Sequence, residues 1–299
     1  MLLNSMEVIG TLSQGMIYAI LALGVFLSFR TLNIPDLTVD GSVVTGAAVS
    51  AVVCSLNGNP LLGLFLAFIA GCMAGSVTAL LNTKLKIQPL LAGILVMLAL
   101  YSVNLHIMGK PNISLTMNNT IYKSAAKVLP ETYSAIMVGF VFLVLIIIAF
   151  YFFLKTRLGF ALRATGDNED MVRSYAIDSE KMKILGLALS NGFVGLAGGL
   201  LAQYQSFADT TMGTGMVVIG LASVILGEAI FGTKSLFRRL IAVSLGAILY
   251  RFAITYAFHL GLPVNDLKLV SAVIVIGALA IGTFSESFPF KLVIGKKEV

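Results

Sequence analysis

The sequence predicts an all-α fold, a polytopic membrane helix bundle of about nine spans, and three observations carry that expectation. Hydrophobic residues fill 58% of the 299 positions and mean hydropathy is +0.97, well above the roughly 45–50% apolar usage of soluble domains. Nearly the whole length divides into uncharged runs of about 20 residues, the length at which a helix crosses the ~30 Å hydrocarbon layer with its own backbone satisfied. Basic residues, finally, gather in alternate connecting segments.

The first run, residues 8–29, is preceded by one charge, Glu7, and by no basic leader. It is longer than the about 7–15 apolar residues of a cleaved signal peptide and reads as a span. A short run follows at 42–56, then full-length runs at 61–81, 90–108 and 134–154. A polar insert occupies 155–183. Beyond it lie 184–208, a second short run at 215–227, and two runs that carry or border charge, 240–260 and 269–285. The chain is expected to form one transmembrane domain over 1–299. Cys54 and Cys72 both fall in apolar runs, which suits buried small hydrophobes rather than a disulfide framework or a zinc site.

Charge orients the bundle. If the 155–183 insert is cytoplasmic, the inside segments hold Arg30, Lys84 and Lys86, six basic residues from Lys155 to Lys183, three from Lys234 to Arg239, and three from Lys291 to Lys297. Lys110, Lys123 and Lys127 remain outside. The opposite orientation places most basic residues outside, against the positive-inside tendency. The N-terminus is therefore expected outside and the C-terminus in the cytoplasm. The net charge of +6 is topological, and nucleic-acid binding has no support.

The two short runs are related. Asp40 opens "DGSVVTGAAVSA" and Gly213 opens "GTGMVVIGLASV"; aligned on Gly41 and Gly215 they share G-x-V-V-x-G. As second and seventh spans they cross in opposite directions. Similar short, glycine-interrupted segments in two inverted halves point to a transport pathway. Short or broken helices are thus expected near 36–56 and 209–228, meeting at the pathway. Asp36 and Asp40 precede the first copy and Asp209 the second. Close helix packing alone also explains such glycines, as it does the GxxxG pairs Gly71/Gly75 and Gly195/Gly199. Gln14, Tyr18, Tyr101, Asn104, Gln203 and Tyr204 are the polar or aromatic groups placed to face a central path.

Other chemistry is sparse. His106 and His259 lack the spacing of a metal site. "GEAIFGTKS", from Gly227, fails as a phosphate loop because Thr233, not lysine, follows Gly232. No nucleotide, metal or catalytic site is expected in this chain. Arg251, well inside a run, and Glu228, near the end of another, are read as a pair across helices. So few buried ionisable groups argue against a self-powered carrier.

The insert contains "RATGDNEDMVRSYAID", residues 163–178, six of whose sixteen residues are charged. Gly166 reads as a helix stop and Asp167 or Asn168 as an N-cap. Glu169 and Asp170 suit a first turn and Arg173 a last one. Met171 with Tyr175, and Val172 with Ala176, stand four apart and form one apolar patch. The expected helix of about ten residues is ~15 Å long, too short to span. A charged-flanked apolar stripe of this kind is a surface for a partner protein.

"GFALRATGDNEDMVRSYAID" resembles the cytoplasmic coupling segment of membrane subunits of bacterial ABC importers, in the group that moves branched-chain amino acids, ribose and nucleosides. Its pattern there is A-x-G-x-N-x-x-x-A-x-x-x-G-I. Ala164, Gly166, Asn168 and Ile177 match, while Val172 and Ala176 replace the small residue and the glycine. "GMIYAILALG", from Gly15, resembles that group's first span, and "LNIPDLTVDGS", from Leu32, is most similar to tryptophan/tyrosine transport permeases. The resemblance implies a permease in the bacterial plasma membrane, working as a pair of copies. It also implies two separate ATPase subunits that use ATP on the inner face and a solute-binding protein outside.

Gly166, Asp167, Asn168, Glu169, Met171, Val172, Arg173 and Tyr175 are then the ATPase-coupling surface, and Asp36, Asp40, Gly41, Tyr101, Asn104, Tyr204 and Gly215 the translocation pathway. The expected cargo is a small solute, an amino acid, aromatic by resemblance. Two other classes share the pattern: an ion-coupled secondary transporter, whose signature is more buried carboxylates, and a passive channel, in which the short helix only packs.

Overall fold

In hydrocarbon an apolar segment has one way to satisfy its N–H and C=O groups along its own length, and the chain takes it repeatedly. The computed structural model describes residues 5–128, 130–261, 269–273 and 276–277. Among them seven helices are long and apolar enough to cross a membrane, and one further apolar helix is shorter. The run expected at 269–285 lies mostly outside the described residues.

The chain opens with α1 (Ser5–Val25), which continues as a π-helical turn over Phe26–Thr31, and runs through α2 (Thr38–Ser55), α3 (Pro60–Thr83) and α4 (Pro89–Met108). A strand β1 (Asn112–Ser114) and a short α5 (Ile121–Ala126) precede α6 (Glu131–Lys155). The polar insert forms α7 (Arg157–Asp167) and α8 (Glu169–Ser174), and α9 (Ser179–Gln205) follows. After strand β2 (Phe207–Asp209) come α10 (Met216–Phe231) and α11 (Leu236–His259). Local chemistry marks the ends. Asn59 caps α3 by accepting from the Leu61 N–H at 3.0 Å, and Pro60 and Pro89 start helices where a missing N–H costs nothing. Gly109, at φ 68°, closes α4 in the left-handed conformation.

Helices α1, α2 and α9 are buried at the centre, while α3, α4 and α6 keep an exposed apolar face. Glycine sets how closely the central helices approach. A Cβ on Gly46 would stand 1.9 Å from the Gly195 carbonyl oxygen, and one on Gly198 2.0 Å from that of Val43, so α2 and α9 touch backbone to backbone. Gly71 and Gly75 meet the Asn191 and Leu187 carbonyls of α9 in the same way, at 2.2 and 2.1 Å. Both GxxxG pairs therefore pack within this chain, where small residues allow contact that lipid alone does not drive. Ser190 adds a bond to the Gly24 carbonyl at 2.7 Å, tying α9 to α1.

On one rim, β1 pairs antiparallel with β2, Ile113 opposite Ala208. Beside it the Lys123 ammonium donates to the Thr116 and Asn118 carbonyls at 2.6 and 2.9 Å and pins the connecting loop.

The expected Arg251–Glu228 pair does not form. Glu228 meets Arg30 at 2.8 Å and Arg239 at 3.4 Å. Because α10 and α11 are antiparallel, Glu228 lies level with Arg239, and Arg251 is about 18 Å further along α11. Arg251 instead donates to Gln14 and lies 5.5 Å from the Tyr18 ring centre, both on α1.

Candidate functional site

Two places gather polar chemistry, one inside the bundle and one at the end where α7 and α8 lie. Inside, the extended segment after Thr31 carries Asp36 into the bundle, where its carboxylate is 5% exposed. It accepts from the Thr38 N–H at 2.8 Å and from Asn191 Nδ2 at 2.6 Å. Asn191 Oδ1 in turn accepts from Ser42 at 2.7 Å, and the Thr38 and Thr78 hydroxyls pair at 2.7 Å. One asparagine thus ties α9 to the start of α2. Its signal in the sequence is an amide inside an apolar run.

One turn on, Asp40 accepts from the Gly215 N–H at 2.9 Å and the Val217 N–H at 2.8 Å. Gly215, the N-cap of α10, holds φ 85°, the left-handed region glycine enters at no steric cost. Asp40 lies about 22 Å from the far end of α2, and the α10 start about 18 Å from Glu228, so the two meet near mid-membrane. The two related segments therefore do come together. One correction applies: α2 is an unbroken helix of 18 residues, and only α10, at 16, is short.

Beside this junction α2, α4 and the loop before α10 enclose a cavity of about 220 Å³. Asp40, Gly41, Tyr101 and Asn104 line it, with Thr210 and Thr214 from the loop and Val44, Met97 and Leu98 as apolar wall. Asn104 is 1% exposed; its Nδ2 donates to the Gly41 carbonyl at 3.3 Å while Oδ1 is buried without a partner. The cavity mouth lies at Leu98 and Tyr101 on the exposed face of α4.

Other expected pathway groups lie elsewhere. Asp36 is behind the cavity wall, in the Asn191 network. Tyr204 stacks edge-on against Tyr122, with ring centres 5.4 Å apart. Gln203 is structural: it accepts from the Ile121 N–H at 2.8 Å and donates to Ser50 at 2.9 Å. Gln14 and Tyr18 serve Arg251. An aromatic or amide in a span is as often a tie between helices as a pathway wall, and sequence does not separate the two.

At the α7–α8 end, α7 runs through Gly166, which does not stop the helix. The glycine is needed because a Cβ there would lie 2.0 Å from the Thr31 carbonyl oxygen. Asp167 ends α7, and Asn168 is the N-cap of α8, accepting from the Met171 N–H at 3.0 Å. Helix α8 has six residues, not about ten. Its patch also differs from the expected one. Met171 and Tyr175 are exposed, but Val172 is buried, 1% exposed, and Ala176 leaves the helix at φ 58°. Over so short a helix Val172 turns toward the bundle and anchors α8. Glu169 binds Lys183 of α9 at 2.6 Å, Arg173 at 2.8 Å and the Ser179 hydroxyl at 3.0 Å. Burial by itself raises the Glu169 pKa, but the hydrogen bonds from Lys183 and Ser179, with the Lys183 and Arg173 charges, outweigh it and hold the carboxyl below its usual range.

A buried polar junction among glycine-packed helices, and a short exposed helix clamped to one of them, are the parts a transport permease needs. The family model described as "Branched-chain amino acid transport system / permease component" matches residues 8–284. The chain belongs to that family. It is 39% identical over 280 residues to a tyrosine transport system permease protein of Clostridioides difficile (strain R20291), covering 94% of this chain and 92% of the relative. The ribose import permease protein RbsC of Escherichia coli (strain K12) is 29% identical, covering 90% and 83%. Among solved structures, PsaBC from Streptococcus pneumoniae in complex with Fab shares the fold, with a TM-score of 0.52 at 14% identity, covering 91% of this chain and 89% of that one. The chain is thus an integral membrane permease.

Proposed function

We propose that this permease, a single transmembrane domain over 1–299, imports amino acids, with an aromatic amino acid as the first candidate cargo. It works as a pair of copies in a bacterial plasma membrane, with its N-terminus outside and its C-terminus in the cytoplasm. Two separate ATPase subunits dock on the cytoplasmic face, and an external solute-binding protein delivers cargo. The tyrosine permease relative supports the cargo class, and the distribution of basic residues supports the orientation.

One observation carries the reading. The exposed pair Met171 and Tyr175 stands on a helix whose Val172 is buried and whose Glu169 is fastened to Lys183 of α9. A loop that merely connects two spans has no use for an apolar outer pair held on a rigid mount. The coupling surface is accordingly Asn168, Met171 and Tyr175 with their neighbours in 155–183, while Glu169 and Arg173 are its fastening.

Photocrosslinking from position 175 in native membranes tests this. Capture of an ATPase, absent when the probe sits near Lys123, is the expected result. Met171→Asp is expected to leave a folded permease that no longer transports. Unchanged uptake in that variant overturns the coupling assignment.

The ion-coupled reading has one observation in its favour, since Asp36 and Asp40 are the intramembrane carboxylates it requires. Uptake that survives ATPase inhibition and stops when the ion gradient is collapsed would favour it.

A further inference from the structure

We propose that the cavity at Asp40 and Asn104 is a subsite for the primary ammonium group of the transported solute. This rests on the transport reading above and adds to it the chemistry by which the permease itself selects cargo.

Two acceptors in the cavity, the Asp40 carboxylate and the Asn104 amide oxygen, keep unused capacity. Each Asp40 carboxylate oxygen receives one backbone N–H from the α10 start, and a carboxylate has about four lone-pair sites in all. The helix terminus offsets roughly half a charge, and among the described residues no cationic side chain pairs with Asp40. Asn104 points the same way. Its bond to the Gly41 carbonyl fixes the amide orientation, because a flip would set oxygen against oxygen. The buried atom without a partner is then the oxygen, Oδ1. A buried amide oxygen without a donor is uncommon and calls for an explanation.

An ammonium answers both acceptors. It brings three N–H donors and a positive charge, whereas a sugar brings no charge and a bare carboxylate is repelled. Thr210 and Thr214 add hydroxyls, which can donate to the solute's own carboxylate. Met97, Leu98 and Tyr101 supply an apolar wall for its side chain.

The cavity of about 220 Å³ is smaller than the ~300–1,000 Å³ that encloses a ligand, and its mouth at Leu98 and Tyr101 is exposed. An intramembrane carboxylate faces a bundle interior or a water-filled path rather than lipid. The subsite is therefore half of a site, completed across that mouth by the second copy.

The test uses the full chain in membranes. Leu98→Cys is labelled with a water-soluble maleimide, and labelling of the parent chain corrects for Cys54 and Cys72. L-tyrosine and tyramine, which carry the ammonium, are expected to slow labelling several-fold, and 3-(4-hydroxyphenyl)propionate, which lacks it, is not. Asn104→Leu, and separately Asp40→Asn, should raise the tyrosine concentration for half-protection roughly ten-fold or more, the loss of one charge-assisted bond. The labelling rate without solute shows that each variant keeps the cavity. If Asp40→Asn fails that check, Asn104→Leu decides.

Equal protection by the amine-free analogue, or protection by sodium ions alone, overturns the proposal. So does an absence of protection in a chain whose assembled complex imports tyrosine, a result that leaves the transport reading intact. A complex that imports sugars and no amino acid overturns both.

Discussion

Replacing Asn191 by alanine is the most informative single change to the bundle, because its cost can be worked from the geometry. The substitution removes a 2.6 Å bond to the buried Asp36 carboxylate and a 2.7 Å bond from Ser42. Hydrogen bonds to charged groups contribute about 1.5–3 kcal/mol, and leaving a buried hydroxyl unpaired costs about 1–3 kcal/mol. Asp36 keeps the Thr38 N–H, so the sum is near ~3–5 kcal/mol rather than the full burial of a bare charge. For a chain of this size that is a fall in Tm on the order of 10 °C. The chain has no tryptophan, but Cys54 is buried, 0% exposed. With the partly exposed Cys72 replaced by alanine, a thiol-reactive dye therefore reports unfolding, read at several scan rates because membrane proteins unfold irreversibly. Ser42→Ala should cost less alone, and adding it to Asn191→Ala should cost almost nothing more, since its partner is already gone. A shift under about 2 °C for Asn191→Ala, or full additivity of the two, would refute the idea that this asparagine joins α9 to α2.

Three other outcomes follow from single sites. Gly46→Ala should abolish folded protein, because its Cβ would overlap the Gly195 carbonyl, whereas Gly139→Ala, whose Cβ would stand 3.2 Å from the Met16 Cβ and needs a shift of only a few tenths of an ångström, should still express; detergent-stable yield measures both. Ala176→Gly should stabilise by about 1 kcal/mol, since a left-handed φ of 58° strains any residue with a Cβ, and Tm reads this. The Glu169 carboxyl is held below its usual range, so its fastening of α8 is complete above the ordinary value of about 4.3 and weakens as pH falls through the lowered one. A spin label at Tyr175→Cys should stay immobile near neutral pH and gain mobility only in strong acid, and Glu169→Gln should remove that dependence.

The spans were legible because lipid leaves an apolar run no structure but a helix, so length and charge alone located them. The meeting of the two glycine-rich segments was legible because they share G-x-V-V-x-G and cross in opposite directions as the second and seventh runs. What escaped was direction. Val172 and Met171 are both apolar and adjacent, and only the true helix length decides which one turns inward. Likewise Gln203, Tyr204 and Asn104 look alike as polar residues in spans, yet just one reaches the cavity. Glycine serves both helix ends and close packing, and at Gly166 the Thr31 carbonyl, 135 residues earlier in the chain, supplies the second reason.

These contacts make α9 one route by which a push on α8 can travel, beside α7 and its Gly166–Thr31 contact. Lys183 receives Glu169 at its first turns, and Asn191, about 12 Å further along, holds Asp36 and Ser42 at the start of α2. Between and beyond these points the glycine contacts leave α9 no gap to absorb movement against α2 or α3. Helix α2 in turn carries Asp40, the carboxylate that caps α10 and lines the cavity. On the coupling proposal, α9 is a rod with a handle at one end and the cavity junction along its side, and a tilt of α8 is expected to displace Asp40. The proposed power input and the proposed ammonium subsite are thereby linked through α9 and α2. Loosening the link at Asn191 should then weaken the dependence of cavity accessibility on the ATPase state more than it weakens binding itself. Maleimide labelling of Leu98→Cys in the assembled complex, with and without ATP, measures that difference directly, and an ATP response unchanged in Asn191→Ala would move the transmission route to another helix.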